Sequence, residues 1–213
     1  MEKRFAVLTL AALTLAACLG METGISVKRN GSGTIDMAYR VSNEAFALGT
    51  LPGNENSPPV PVGKEDFERS FSRVPGMEMT SYSEKSDERD RIFLIKAKFD
   101  SLDALANFLD AQGLHAAVKT EGGATAMTIN LGLESGFVDP DLAPILPVIF
   151  DGYYMAFNIS LPRDCKVSYA DTAGNALAVL PRGEVATAAK SVSFRVPMAD
   201  LLAGGAAAMT ITW

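Results

Sequence analysis

The sequence holds two thiols, Cys18 and Cys165, and one imidazole, His115. A Cys–His or Ser–His–Asp hydrolase needs a nucleophile, a base within hydrogen-bond reach and a third group that orients the base. Cys165 follows the turn-like stretch Pro162-Arg163-Asp164, and the chain has no Gly-x-Ser-x-Gly elbow. His115, between Leu114 and Ala116, is expected on the polar side of a strand in a structural or surface role. Zinc centres draw on several His, Cys or acidic ligands, and this supply is too thin. Asp139 and Asp141 flank Pro140, while Asp164, Asp171 and Asn175 lie near one another. Asp171-Thr172-Ala173-Gly174-Asn175 imitates a calcium loop, with oxygen ligands around a glycine. The bidentate glutamate that would complete such a loop is missing, so a turn or helix-cap role is expected. The mixed charges of Glu84 to Arg91 predict a solvated hairpin tip. No catalytic residue, metal ligand or cofactor site is assigned.

Cys18 differs from Cys165 in what precedes it. Glu2-Lys3-Arg4 is a short charged start, Phe5 to Leu15 is an apolar run of about 11 residues, and Leu15-Ala16-Ala17-Cys18 follows. The run is too short for the ~20 residues that span hydrocarbon. The four residues resemble the lipobox of bacterial lipoproteins, which is cut between Ala17 and Cys18. That resemblance implies a signal peptide over 1–17. It also implies a diacylglyceryl thioether on Cys18, usually with a third, amide-linked chain of the palmitate kind. One such chain binds a bilayer only marginally, whereas two or more hold firmly. Leu19 rather than Asp follows the cysteine, which in enterobacterial systems resembles the default for the outer membrane.

Removal of 1–17 takes Glu2, Lys3 and Arg4 with it, leaving 24 acids against 17 bases and a net charge of −7. A negative domain without a basic block is a poor partner for nucleic acid and is repelled by anionic headgroups, so the acyl chains must do the attaching. With Cys18 acylated, Cys165 has no cysteine to pair with, and stability must rest on an apolar core. At 48% hydrophobic residues the chain supplies one.

Period-two alternation dominates the elements. Ile35, Met37, Tyr39 and Val41 share a face; so do Phe93, Ile95, Ala97 and Phe99, then Met127, Ile129 and Leu131. The same holds for Tyr153 to Leu161, Val192 to Val196, and Met209, Ile211 and Trp213. One apolar face per strand predicts an antiparallel sheet covered on one side. Asn30-Gly31-Ser32-Gly33, Glu84–Asp90 and Glu121-Gly122-Gly123 predict hairpins. Lys64 to Val74 and Ser101 to Gln112 predict amphipathic helices. Asp139 to Phe150, interrupted by Pro144 and Pro147, predicts a short or broken one, and Met198 to Leu202 a single turn. Thr50–Gly63 reads as an irregular loop of about 14 residues. Leu142–Phe150 is either a buried connection or an apolar flap over a pocket. The methionines on inward strand positions, among them Met37, Met127, Met155 and Met209, read as core. Trp213 closes an alternating strand as outer-membrane barrels do, but strands this short, separated by helices, do not predict a barrel.

The expected architecture is α+β: a large antiparallel sheet built from hairpins, with two to three helices packed on one face. Residues 18–24 would be a lipidated N-terminus and short tether, and 25–213 one domain, with a subdivision near 135 as the alternative. The layout over 18–131, with Asn30-Gly31-Ser32-Gly33-Thr34 in its early hairpin, is similar to the LppM-type lipoprotein domain. That resemblance implies an α/β fold and binding of lipid-containing molecules in the bacterial envelope. It transfers no binding residue, and the membrane helix that follows the domain in such proteins has no counterpart here. The chain also looks like the uncharacterised lipoproteins of diderm bacteria. The functional expectation is a non-enzymatic envelope lipoprotein, lipid-anchored through Cys18 (in a diderm bacterium, on the periplasmic or surface face of the outer membrane), that binds an amphiphilic ligand or a partner protein. The alternative is an envelope-polymer hydrolase using paired carboxylates.

Overall fold

A computed structural model describes residues 19–49, 63–111, 115–131, 143–203 and 207–213. The chain begins with the hairpin of β1 (Leu19–Val27) and β2 (Gly33–Ser42), followed by α1 (Asn43–Gly49) and α2 (Lys64–Ser72). Next come the hairpin β3 (Met77–Ser86) and β4 (Asp90–Phe99), then α3 (Leu102–Ala111), then the hairpin β5 (Ala117–Glu121) and β6 (Ala124–Leu131). A 3-10 turn over Ala143–Ile145 runs into α4 (Leu146–Ile149) and β7 (Tyr154–Ser160). The rest is β8 (Lys166–Asp171), β9 (Ala176–Leu177), β10 (Glu184–Ala188), β11 (Ser191–Pro197), α5 (Met198–Leu202) and β12 (Ala207–Thr212).

These strands form two sheets, seven strands in the order β10-β11-β7-β1-β2-β4-β3 and five in the order β5-β6-β12-β8-β9. The fold is therefore α+β, with two departures from expectation. The large sheet is mixed, because β1 runs parallel to β7, with Met21 level with Met155 and Ser26 level with Ser160. Alternation specifies the face a strand buries, not the direction of its neighbour. Helices, moreover, share the covering of the inner face with the second sheet. Ile129, Met209 and Ile211 from that sheet, Phe67 and Phe71 from α2, and Leu105 and Phe108 from α3 join Ile25, Ile35, Phe93 and Phe157 in one core. β7 pairs with β1 and β12 with β6, so each sheet draws strands from both sides of residue 135.

The N-terminal boundary also moves. Residues 19–24, expected as tether, are strand: Leu19 is paired with Val41, and the side chain of Thr23 is 2% exposed. Leu-Gly-Met-Glu-Thr-Gly has little intrinsic strand preference. The ladder instead comes from β2 on one side and β7 on the other, so tertiary pairing overrides propensity.

Local chemistry explains the hairpins and helices. Gly122 and Gly123 both take positive φ, 58° and 82°, the two-residue turn whose twist matches the flanking strands. Asn30 Oδ1 accepts from the backbone N–H and the hydroxyl of Ser32 in the first turn. Ser101 Oγ caps α3 by accepting from the N–H of Ala104. The interior is filled with rings: Phe71 stacks on Phe108 at 4.7 Å between centroids, and Tyr39, Phe67, Phe93 and Tyr82 form a cluster of tilted and edge-on pairs at 5.9–6.4 Å. Such contacts add about 0.5–1.5 kcal/mol per pair beyond the area they bury. Two hydroxyls in this interior, Thr23 Oγ1 and Tyr39 Oη, have no hydrogen-bond partner among the described residues.

Candidate functional site

Ala17 and Cys18, the predicted cleavage and lipidation residues, lie outside the described residues, as do Asp139 and Asp141. The remaining chemistry-bearing residues are dispersed. His115 is not on a strand: it has a positive φ of 42°, precedes β5, and its Nδ1 sits 3.6 Å from Asp110 on exposed surface. His115 and Ala116 are irregular chain and β5 begins only at Ala117, so the polar-face expectation fails there. Cys165 is half-buried with its Sγ 3.6 Å from the carbonyl of Ala188. Burial, and then the Asp164 carboxylate, push its thiol above the usual cysteine value, which keeps it protonated and a poor nucleophile.

Asp171 closes a turn. Its Oδ1 accepts from the N–H of Ala173 and of Asn175, and its Oδ2 from the Asn175 amide. Those bonds hold its carboxyl below the ordinary value and occupy the oxygens that a cation would need. Among the described residues, no three His, Cys, Asp or Glu side chains are grouped to hold a metal ion.

The charged hairpin tip contains a residue that sequence reasoning missed. Asp90 begins β4 and is 4% exposed; its Oδ1 accepts a 2.6 Å hydrogen bond from Tyr153 Oη, and Arg40 lies 3.7 Å from its Oδ2. Asp87 Oδ1 accepts from the N–H groups of Arg89 and Asp90 and so shapes the turn. Arg89 lies over the Tyr153 ring at 4.7 Å and donates to the carbonyl of Asp151. Burial, with the hydrogen bond to Asp90 next, holds the Tyr153 phenol well above its usual value. The cluster pins the tip to the start of β7. Mixed-sign charges signalled solvation, and only the aromatic side chain far along the sequence reveals burial.

Two clefts formed by described residues lie outside the core. One is a groove of about 370 Å³ on the uncovered face of the large sheet, over Gly24, Ala38 and Leu94, rimmed by Ser83, Lys96 and Asn158. Glu22 and Asp36 also face it, diagonal neighbours across β1 and β2. They do not make an acid–base pair of the hydrolytic kind: Asp36 is 59% exposed and ion-paired to Lys96 at 3.4 Å, and nothing excludes water. The second cleft, about 450 Å³, lies between the β1–β2 turn and the small sheet and is lined by Lys28, Arg29, Arg163 and Trp213. Arg163 spends its guanidinium on the carbonyls of Gly123 and Trp213, at 2.7 and 3.0 Å, a structural tie between loops.

Of the Leu142–Phe150 stretch, residues 143–150 are described, and these are neither wholly buried nor among the residues lining either cleft. Leu146 and Phe150 pack with Ala199 and Leu202 in a small separate cluster, while Ile145 and Val148 are exposed. No described helix is long and apolar enough to cross a membrane. No protein-family model matches the chain, and no curated protein matches it either.

Proposed function

We propose that the chain is a lipid-anchored protein of the bacterial cell envelope, held by acyl groups on Cys18, which binds a partner protein on the open face of its large sheet and performs no catalysis. The filled interior carries this reading. Phe93, Leu105, Met127, Ile129, Met209 and Ile211 are 0% exposed at the junction of sheets and helices, where an acyl chain of a bound amphiphile would have to lie. Recognition is then left to the surface. The open face offers Gly24 and Ala38 as a shallow floor with Ser81, Ser83 and Asn158 around it, a small-residue surface that a protein can approach closely. The dispersal of His115, Cys165 and the acidic residues supports a non-enzymatic role, and the lipobox-like Leu15-Ala16-Ala17-Cys18 supports the compartment.

The test is photo-crosslinking in living cells from a benzoylphenylalanine placed at Ser83 or Asn158, with Lys119 on the second sheet as the control position. A discrete adduct from the first two, abolished when Gly24→Val fills the floor, is the expected result. Gly24 suits this purpose because a Cβ there would meet only ordinary contacts at 3.7 Å and beyond. Crosslinks that are equally abundant from Lys119, or that survive Gly24→Val, would refute the surface.

A further inference from the structure

We infer that the end of the large sheet at which β1 begins is a bilayer-resting face, with the turn from Pro144 to Val148 seated among the lipid headgroups. The inference rests on the anchor reading above and gives it an orientation. β1 is the fourth of seven strands, and its first described residue, Leu19, follows Cys18 directly. A peptide bond separates their Cα atoms by only about 3.8 Å. Acyl chains on Cys18 would therefore hold the middle of the sheet, and no tether lets the body turn away.

Strand directions place what else lies at that end. Leu19 is level with Val41, Ser42 with Asp90, and Tyr154 with Pro197. A Cβ on Gly20 would lie 3.4 Å from the Tyr153 ring. The segments that leave the sheet there are α1 after β2, the 3-10 turn with α4 before β7, and α5 after β11. α4 and α5 bury Leu146, Phe150, Ala199 and Leu202 in a cluster of their own, separate from the main core. This small platform carries Ile145 at 42% and Val148 at 79% exposure, two of the three exposed large hydrophobic residues among those described. They are three positions apart on one side of a continuous helical turn, with exposed Pro144 and Pro147 beside them, and 143–150 contains no charged residue. One exposed valine needs no explanation. An uncharged apolar turn, packed in a cluster of its own at the end of the sheet nearest the proposed anchor, fits the headgroup–acyl boundary, where apolar side chains sit about 5–10 Å deep. Charge does not select this face: Arg89 lies there, but so do Glu44, Asp87, Glu88 and Asp151, so the contact is apolar.

The experiment uses the full chain, exported and processed by its host and reconstituted into phosphatidylcholine vesicles that carry a headgroup nitroxide. In a Cys165→Ser background, a bimane label is placed at Val148→Cys and, in a second protein, at Lys98→Cys near the opposite end of β4. Quenching several-fold stronger at 148 than at 98 is expected, and Ile145→Glu should reduce it at least by half. Protein that floats with the vesicles but shows equal quenching at both positions, or none at 148, overturns the orientation while leaving the anchor intact. A partner protein seated on the turn in place of lipid would give this second pattern. Protein that fails to float overturns the anchor reading, and the orientation with it.

Discussion

The two ends of the large sheet are built by different physics. At the end holding the β1–β2 turn, the backbone is so close that a side chain has no room: a Cβ on Gly33 would lie 2.0 Å from the Ser26 carbonyl and 2.3 Å from the Phe99 ring. Cations line the adjoining cleft, and the loops are tied by Arg163. At the Leu19 end, a buried carboxylate, Asp90, is held by Tyr153, and a small apolar cluster packs separately from the main core. One end is closed by steric fit and covered by polar groups. The other is closed by a buried polar bond and carries, among charged residues of both signs, one uncharged apolar turn. A body that stands free in water gains nothing from that asymmetry, whereas one proposed to sit on a bilayer uses it.

Substitutions at the two ends should break this contrast in graded fashion. Gly33→Ala has the largest expected cost, about 3 kcal/mol or more, because the colliding atoms are backbone and a packed ring. Denaturant unfolding of the purified domain would register it, and a near-neutral result would mean that the turn is looser than described. Asp90→Ala follows, at about 2–3 kcal/mol, since it strands the buried Tyr153 hydroxyl. Asp90→Asn, which keeps an acceptor oxygen, should recover a good part of that loss.

Tyr39→Phe goes the other way. Its hydroxyl is buried without a partner, so removal should be neutral or stabilising by up to about 1 kcal/mol. The same residue gives a pH signature. Burial raises the Tyr39 phenol far above its ordinary 10.0, so the folded state keeps a proton that the unfolded chain releases. Stability is therefore complete below pH 10 and declines as pH rises beyond it. Tyr39→Phe should flatten that alkaline decline in a pH series of melting temperatures, and an unchanged slope would assign the decline to other tyrosines such as Tyr153. The smallest effect belongs to Val148→Glu, within about 0.5 kcal/mol of the parent, because that side chain is already in water. A larger loss would show that the exposed turn is needed for folding itself.

How much of this could be read from residues alone depends on how local the cause is. β2, β4, β6 and β7 announce themselves through alternation, and α2 and α3 through apolar stripes, α3 also through its Ser101 cap, because each pattern is complete within one element. β1 over 19–24 and the two-residue β9 carry no such pattern and exist through their neighbours. The parallel pairing of β1 with β7 brings together segments more than a hundred residues apart, and turn chemistry is silent on such a contact. Asp90 shows the same limit at a single site. Among Glu88, Arg89 and Arg91 it looks like one more solvated charge, and the partner that buries it, Tyr153, is 63 residues away. Cys18 is the opposite case: its reading is entirely local, four residues and the run before them, and so it rests on sequence.

The account turns on that cysteine, and one measurement addresses it directly: the intact mass of the protein extracted by detergent from the membranes of cells that export it. The prediction is a chain beginning at residue 18 and heavier than its sequence by a diacylglyceryl group, with or without an amide-linked fatty acid. A mass retaining residues 1–17, or one matching an unmodified Cys18, would contradict it.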